Sequence, residues 1–293
     1  MANAVKRAVI PAGGLGTRFL PVTKSVPKEL LPIGTKPTLL MVLEEAVASG
    51  IEQVILITSP QKVHIMDFFD TDSEYVRELA ARGKAPLLES LNELLRNIEV
   101  VPIQQIKPRG LGDAVLCSKN VVGDEPFIVI LPDVLIESKT PCCKQLIDAY
   151  EKTGCSLSAT EHTPRDQIHL YGIYDIERSE GRVHWAKGVV EKPTADEAPS
   201  DLSVVGRYCF SPEVYELLEK TEPGKGGEIQ LADAQNALAK AGKFVAYEYE
   251  GRQFDTGDPL GFLKANIFYS WNTAPEDLKI FVSNMIGCNS TSD

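Results

Sequence analysis

The segment Gly13-Gly14-Leu15-Gly16-Thr17-Arg18 has the composition of an anion-holding loop. Glycine bends freely and leaves main-chain N–H groups open to a ligand. Successive N–H groups in such a turn form a concave anion site. Two familiar phosphate loops do not fit. A dinucleotide fingerprint beginning at Gly14 needs Gly or Ala at position 19, where Phe19 stands, and Pro21 interrupts a helix starting at Gly16. A Walker A loop fails too, because Gly34-Thr35-Lys36-Pro37 has the wrong spacing. Residue chemistry alone leaves open both a phosphate cradle and an ordinary tight turn.

Other charged groups stand at segment ends. Lys28 and Glu29 lie centrally in the proline-marked stretch 23–32, which cannot be a long helix; their plain reading is a solvated pair. Asp133 follows the apolar run 127–131, where a carboxylate either meets a ligand beyond a central strand or caps a turn. A second glycine turn, Gly110-Leu111-Gly112, leads to Asp113, which caps or begins a helix. Asp255-Thr256-Gly257 precedes a helix at about 260–270. The four histidines, 64, 162, 169 and 184, have no recognisable catalytic setting, and neither G-x-S-x-G nor H-E-x-x-H occurs. Triad and zinc hydrolases therefore fit poorly. Glycine loops, a few cations and two aspartates suit phosphoryl or nucleotidyl transfer, where catalysis is largely positioning and charge neutralisation.

These residues need strands to carry them to one edge. Ala8-Val9-Ile10 reads as a buried strand, and Leu39, Val42, Leu43, Ala46 and Val47 share one helix face that Gly50 ends. Val54-Ile55-Leu56-Ile57 is a second buried strand, giving a parallel α/β unit. Helical pieces fill 61–98, strands follow at 99–104 and 127–131, and a helix at 141–152 precedes a strand at 156–160. Strands at 171–176 and 183–191 flank a hairpin turn at Glu180-Gly181. A strand at 204–210, a helix opening at Ser211-Pro212, a helix from Glu228 to Lys240 and a strand at 244–249 complete the pattern. One α/β unit with hairpins elaborating its second half is expected.

The bulk properties agree. The chain has 293 residues, 43% hydrophobic and 24% charged, enough for a sizeable core. No run approaches a membrane span, and Pro11 and the glycines end the first apolar segment too early for a signal peptide, so a cytoplasmic protein is expected. Six scattered cysteines without C-x-x-C indicate reduced thiols. A net charge of -11 argues against nucleic-acid binding and requires local cations or a metal for any anionic substrate.

Gly13–Arg18 and Pro27-Lys28-Glu29-Leu30-Leu31-Pro32 together resemble the signature of sugar-nucleotide pyrophosphorylases. Further segments resemble the bacterial UTP–glucose-1-phosphate uridylyltransferases among them. They are Gly110-Leu111-Gly112-Asp113-Ala114-Val115-Leu116-Cys117, Val122-Gly123-Asp124-Glu125-Pro126, Ile130-Leu131-Pro132-Asp133-Val134, Val190-Glu191-Lys192-Pro193, Val205-Gly206-Arg207-Tyr208 and Glu228-Ile229-Gln230-Leu231-Ala232-Asp233-Ala234. The likeness runs from about residue 8 to 269.

The resemblance implies a Rossmann-like α/β fold with a mixed, mostly parallel central sheet flanked by helices. It implies one domain over 1–288, with a nucleotide half to about 135, a sugar half over 136–270 and a helical segment over 259–288, while the polar residues 289–293 read as a frayed tail. The implied reaction is UTP plus glucose 1-phosphate giving UDP-glucose and pyrophosphate, with Mg²⁺. By the same match Gly13, Gly14, Gly16 and Thr17 cradle the triphosphate with Arg18 and Lys28 on the phosphates, and Glu29 belongs to the nucleotide site. Ala12, Gly13, Gln105 and Gly110 contact uracil. Asp133 holds the metal, with Asp255 as second candidate. Gly172, Glu191 and Val205 meet the sugar, and Lys192 neutralises its phosphate. A homodimer or homotetramer is implied, with no nucleic-acid or membrane partner.

Three positions depart from the pattern: Asp113 stands where histidine is usual, Gly34-Thr35 replaces a pair ending in aspartate, and Thr256 stands where cysteine is common. The first bears on base preference. The rivals are a thymidylyltransferase of the same superfamily, since thymine adds only a methyl, and a silent sugar-nucleotide-binding subunit. Retention of Arg18, Lys28, Asp133 and Lys192 together speaks against the second.

Overall fold

The computed structural model describes residues 4–271 and 274–289. Its frame is a nine-stranded sheet. In chain order the strands are β1 (Arg7–Pro11), β2 (Gln53–Thr58), β3 (Glu99–Gln104), β4 (Phe127–Ile130) and β5 (Ser156–His162). The second half adds β6 (Gly172–Glu180), β7 (Val183–Glu191), β8 (Leu202–Phe210) and β9 (Phe244–Glu248). Their spatial order is β3-β2-β1-β4-β8-β5-β9-β7-β6.

Side chains alternate across this sheet as strand geometry requires. Ala8, Ile10, Val54, Leu56, Ile128, Cys209 and Val245 enter one core, shared with the helices Thr38–Ala48 and Cys142–Thr153. Val9, Ile55, Ile57, Val129, Phe210 and Phe244 enter the other, under Leu111–Leu116, Glu213–Lys220 and Leu231–Lys240. Both faces are covered, which is why the central strands read as unbroken apolar runs.

The sheet departs from the mostly parallel arrangement implied by the resemblance. Only β3–β2, β2–β1, β1–β4 and β5–β9 run parallel. The pairs β4–β8, β8–β5, β9–β7 and β7–β6 are antiparallel. For β7–β6 the cause is local: Glu180 pairs with Val183 across a two-residue turn, with Gly181 at φ 56, and so tight a connection can only reverse the chain.

The expected helix from Glu228 begins instead at Leu231. Residues 228–230 stay extended because Ile229 N donates to the Arg109 carbonyl at 2.7 Å and its own carbonyl accepts from Gly112 N at 2.9 Å. A two-stranded ribbon, Val134–Glu137 with Arg252–Asp255, brings Asp133 and Asp255 side by side. The C-terminal helices are Pro259–Trp271 and Glu276–Asn289. Asn289 thus ends a helix, and the rest of the expected tail, 290–293, lies outside the described residues. Among the described residues no helix is long and apolar enough to cross a membrane.

Candidate active site

The glycine loop leaves the carboxyl end of β1, between β2 on one side and β4 on the other. Chain connections diverge there, and open α/β sheets bind ligands at such a point. Ala12 is buried and donates its N–H to the Ile57 carbonyl at 2.6 Å. Gly13 lies under Gln105, whose Oε1 is 3.1 Å from where a Cβ would stand. Gly14 faces open space, and Gly16 takes the left-handed conformation, φ 66, that glycine adopts without strain. Thr23 Oγ1 fixes the turn by donating to the Gly16 carbonyl at 2.7 Å. Thr17 and Arg18 follow in an exposed turn, and Arg18 Nη1 donates to the Gly257 carbonyl at 3.3 Å.

Charge converges beside that loop. Lys28 Nζ lies 2.5 Å from Asp133 Oδ2. A Cβ at Gly257 would stand 2.9 Å from both Asp133 Oδ2 and Asp255 Oδ1, so the two carboxylates crowd one point. The Gly257 N–H donates to Asp255 Oδ1 at 2.8 Å. Burial disfavours the Lys28 ammonium, but Asp133, aided by Glu29 and Asp255, outweighs it and holds its pKa above the ordinary lysine value. Burial, then the neighbouring Asp133 and Asp258, push the Asp255 carboxyl up despite Gly257 N–H and Arg18. Among the described residues no three His, Cys, Asp or Glu side chains gather as a metal cage. Two carboxylates beside the glycine loop fit a hard ion that completes its shell with water and other oxygen ligands.

Glu29 is not solvated. It is 1% exposed and paired with Lys62, whose Nζ donates to both carboxylate oxygens at 2.8 and 2.9 Å and to the Ala12 carbonyl at 2.7 Å. Burial works against both charges, raising the Glu29 pKa and lowering that of Lys62, while each partner opposes the other's shift. Lys62 escaped the sequence reading because it sits in a short polar connection with no motif around it. The pair ties residue 29 to the root of the glycine loop.

Beside Gly13, Gln105 is buried, with its main-chain N–H on the Thr58 carbonyl at 2.8 Å. Gly110 has φ 99, and a Cβ there would stand 2.8 Å from the Ile229 carbonyl. Asp113 lies in the first turn of the helix Leu111–Leu116, so it belongs to the helix start as expected, but its side chain makes no capping hydrogen bond. It is 3% exposed and accepts from Gln105 Nε2 and Arg109 Nη2, each at 2.6 Å.

The remaining candidates cluster at the ends of β6 and β7. Gly172 pairs with Glu191, whose Oε2 would be 3.2 Å from a Cβ on Gly172. Lys192 has φ 49, the left-handed value found at no other non-glycine among the described residues. Its N–H donates to the Tyr171 carbonyl at 3.1 Å, and its Nζ is 3.8 Å from Glu191 Oε1. A conformation that disfavoured persists where surroundings hold it, often at functional positions. Val205 lies inside β8 and is buried in the core, so its side chain is not presented to a ligand. A cleft of about 1330 Å³ opens along this side, lined by the charged Arg18, Lys192 and Asp255 and by the apolar Ile267, Phe268 and Trp271. Gly13, Gln105 and Gly110 do not line it.

Residues 7–271 match the family model described as nucleotidyl transferase. The chain is 45% identical over 266 residues to the UTP–glucose-1-phosphate uridylyltransferase of Bacillus subtilis, with 91% of each chain covered. It is similar to a UDP-glucose pyrophosphorylase solved with UDP-glucose, at 36% identity and TM-score 0.84, over 92% of this chain and 99% of that one. It is similar as well to the UTP-bound UGPase from Acinetobacter baumannii, at 38% identity and TM-score 0.85, over 96% and 98%.

Proposed function

The chain belongs to the nucleotidyl transferase family, and from that premise we infer that it transfers the uridylyl group of UTP to glucose 1-phosphate, giving UDP-glucose and pyrophosphate. The observation that carries this reading is the convergence of Lys28, Asp133 and Asp255, with Arg18 on Gly257, beside a glycine loop at the sheet's switch point.

The attacking atom is a phosphate oxygen of glucose 1-phosphate, already ionised, so no side chain has to take a proton. This suits a site whose charged members are two cations and two carboxylates. The new bond joins that oxygen to the α-phosphorus, and the bond from the α-phosphorus to the β-phosphate bridging oxygen breaks in line with it. The electron pair leaves with pyrophosphate. The loop at Gly13, Gly14, Gly16 and Thr17 cradles the triphosphate, and Arg18 and Lys28 draw charge from it. Asp133 and Asp255 would hold Mg²⁺, which when bound neutralises charge growing on the leaving group. Ala12, Gly13, Gln105 and Gly110 receive the base. Glu29 positions Ala12 through Lys62. Glu191 and the main chain near Gly172 and Val205 orient the sugar, while Lys192 aligns its phosphate for attack.

Exposed Leu263 on the helix Pro259–Trp271 and Leu278, Ile280 and Phe281 on the helix Glu276–Asn289 support a homodimer or homotetramer. The free state of Cys117, Cys142, Cys143, Cys155 and Cys209 supports a reducing, cytoplasmic setting. Pyrophosphate release from each common nucleoside triphosphate with glucose 1-phosphate tests the reaction. Turnover is expected with UTP; equal turnover with dTTP would replace the uridylyl reading, and none with any nucleotide would leave a binding subunit.

A further inference from the structure

We propose that Asp113 sets the base specificity of the site by fixing which end of the Gln105 amide faces the nucleobase. The proposal rests on the uridylyl reading above and deepens it.

A glutamine amide offers a carbonyl acceptor at one end and two N–H donors at the other. Here the neighbours decide its orientation. Gln105 Nε2 points at two acceptors, Asp113 Oδ2 at 2.6 Å and the Gly110 carbonyl at 3.3 Å. Neither can donate, so turning the amide over would set oxygen against oxygen in a buried place. Asp113 in turn cannot rotate away, because Arg109 Nη2 holds its Oδ1 at 2.6 Å. The main chain of Gln105 is anchored to Thr58 across the β2–β3 edge. Oε1 is therefore directed over Gly13, within 3.1 Å of where a Cβ would stand. An acceptor presented there pairs with the N3–H of uracil or thymine. Cytosine carries a lone pair at N3 and would leave two acceptors facing each other. The device separates an imide base from cytosine and is blind to the thymine methyl. Asp113 touches no substrate; it is a positioning residue.

The test compares UTP, CTP and dTTP as substrates with glucose 1-phosphate, using wild type and Asp113→Asn. Asparagine has the same shape but can donate to Gln105 Oε1, which frees the amide to turn. The ratio of kcat/KM for CTP to that for UTP is expected to rise about tenfold or more, while the ratio for dTTP to UTP stays unchanged. In a Gln105→Ala background the same Asp113 substitution is expected to move the CTP ratio no further, because its effect passes through Gln105. If Asp113→Asn does not fold, Arg109→Ala loosens the same carboxylate from an exposed side chain and is expected to shift the CTP ratio in the same direction. Unchanged CTP discrimination in the folded variants overturns the proposal, as does an equal loss for all three nucleotides. Failure of the wild type to use UTP at all would instead overturn the reaction.

Discussion

Lys28 and Asp133 lie 105 positions apart in sequence and meet as an ion pair at the head of the sheet. The contact joins the proline-marked excursion after the glycine loop to the carboxyl end of β4, so a cation and a carboxylate arrive together beside the loop. Asp133 has a second duty: its carbonyl accepts from Thr256 N at 2.7 Å and Thr256 Oγ1 at 2.9 Å, which brings Asp255 and Gly257 into place.

The side chain of Asp133 can be changed without disturbing that carbonyl. Asp133→Asn is expected to lower kcat by about 10²-fold or more, with the requirement for Mg²⁺ raised. The thermal midpoint should move by no more than roughly 4 °C. Steady-state kinetics over a magnesium titration, with thermal unfolding alongside, checks both parts. Activity close to wild type would remove Asp133 from the chemistry.

Lys62 is expected to matter twice. Lys62→Met strands the buried Glu29 carboxylate and should cost about 3 kcal/mol of stability. It also removes the donor from the Ala12 carbonyl, so KM for UTP should rise roughly fivefold. Pairing it with Glu29→Leu is expected to restore most of the stability and leave KM high. Urea unfolding and kinetics on the two variants separate the effects; a double variant with normal KM would show that the loop does not depend on Lys62.

A buried pair elsewhere is expected to contribute to stability against acid. Arg207 is fully buried and its Nη2 lies 2.8 Å from Glu45 Oε2. Burial alone would raise the Glu45 pKa, but Arg207 and the Cys143 N–H overcome it and hold the carboxyl below its usual range. A depressed folded pKa means that the contribution is present above the unfolded carboxylate value, about 4.3, and is lost as pH falls through the folded one. Glu45→Gln should cost about 3 kcal/mol near neutral pH, and its gap from wild type should shrink below about pH 4. Urea unfolding across that range measures it; a gap independent of pH would contradict the assignment.

What the sequence disclosed and what it hid follow from the range of the forces involved. Ala8-Val9-Ile10 and the run from Phe127 were legible as buried strands because both neighbours of each are strands and both faces are covered. Gly16 was legible because its left-handed turn tolerates little else. Asp133 could be placed from its position after such a strand. The burial of Glu29 was not legible, since its partner Lys62 lies 33 positions away in an unpatterned connection. Asp113 looked like a helix cap because local rules favour it there; its partners Gln105 and Arg109 come from the strand end and the turn before it. The extended backbone at Ile229 defeated the helix pattern because Arg109 and Gly112 take its main-chain groups. The mix of parallel and antiparallel pairs was hidden for a similar reason, since strand composition says little about which neighbour a strand will find.

The most direct measurement follows the phosphorus atoms. UTP labelled at the α-phosphate and UTP labelled at the γ-phosphate are incubated separately with the enzyme, glucose 1-phosphate and Mg²⁺, and the products are separated. Attack at the α-phosphorus places the α-label in UDP-glucose and the γ-label in pyrophosphate, each only when glucose 1-phosphate is present. A γ-label on the sugar, or an α-label released as UMP without transfer, would contradict the account.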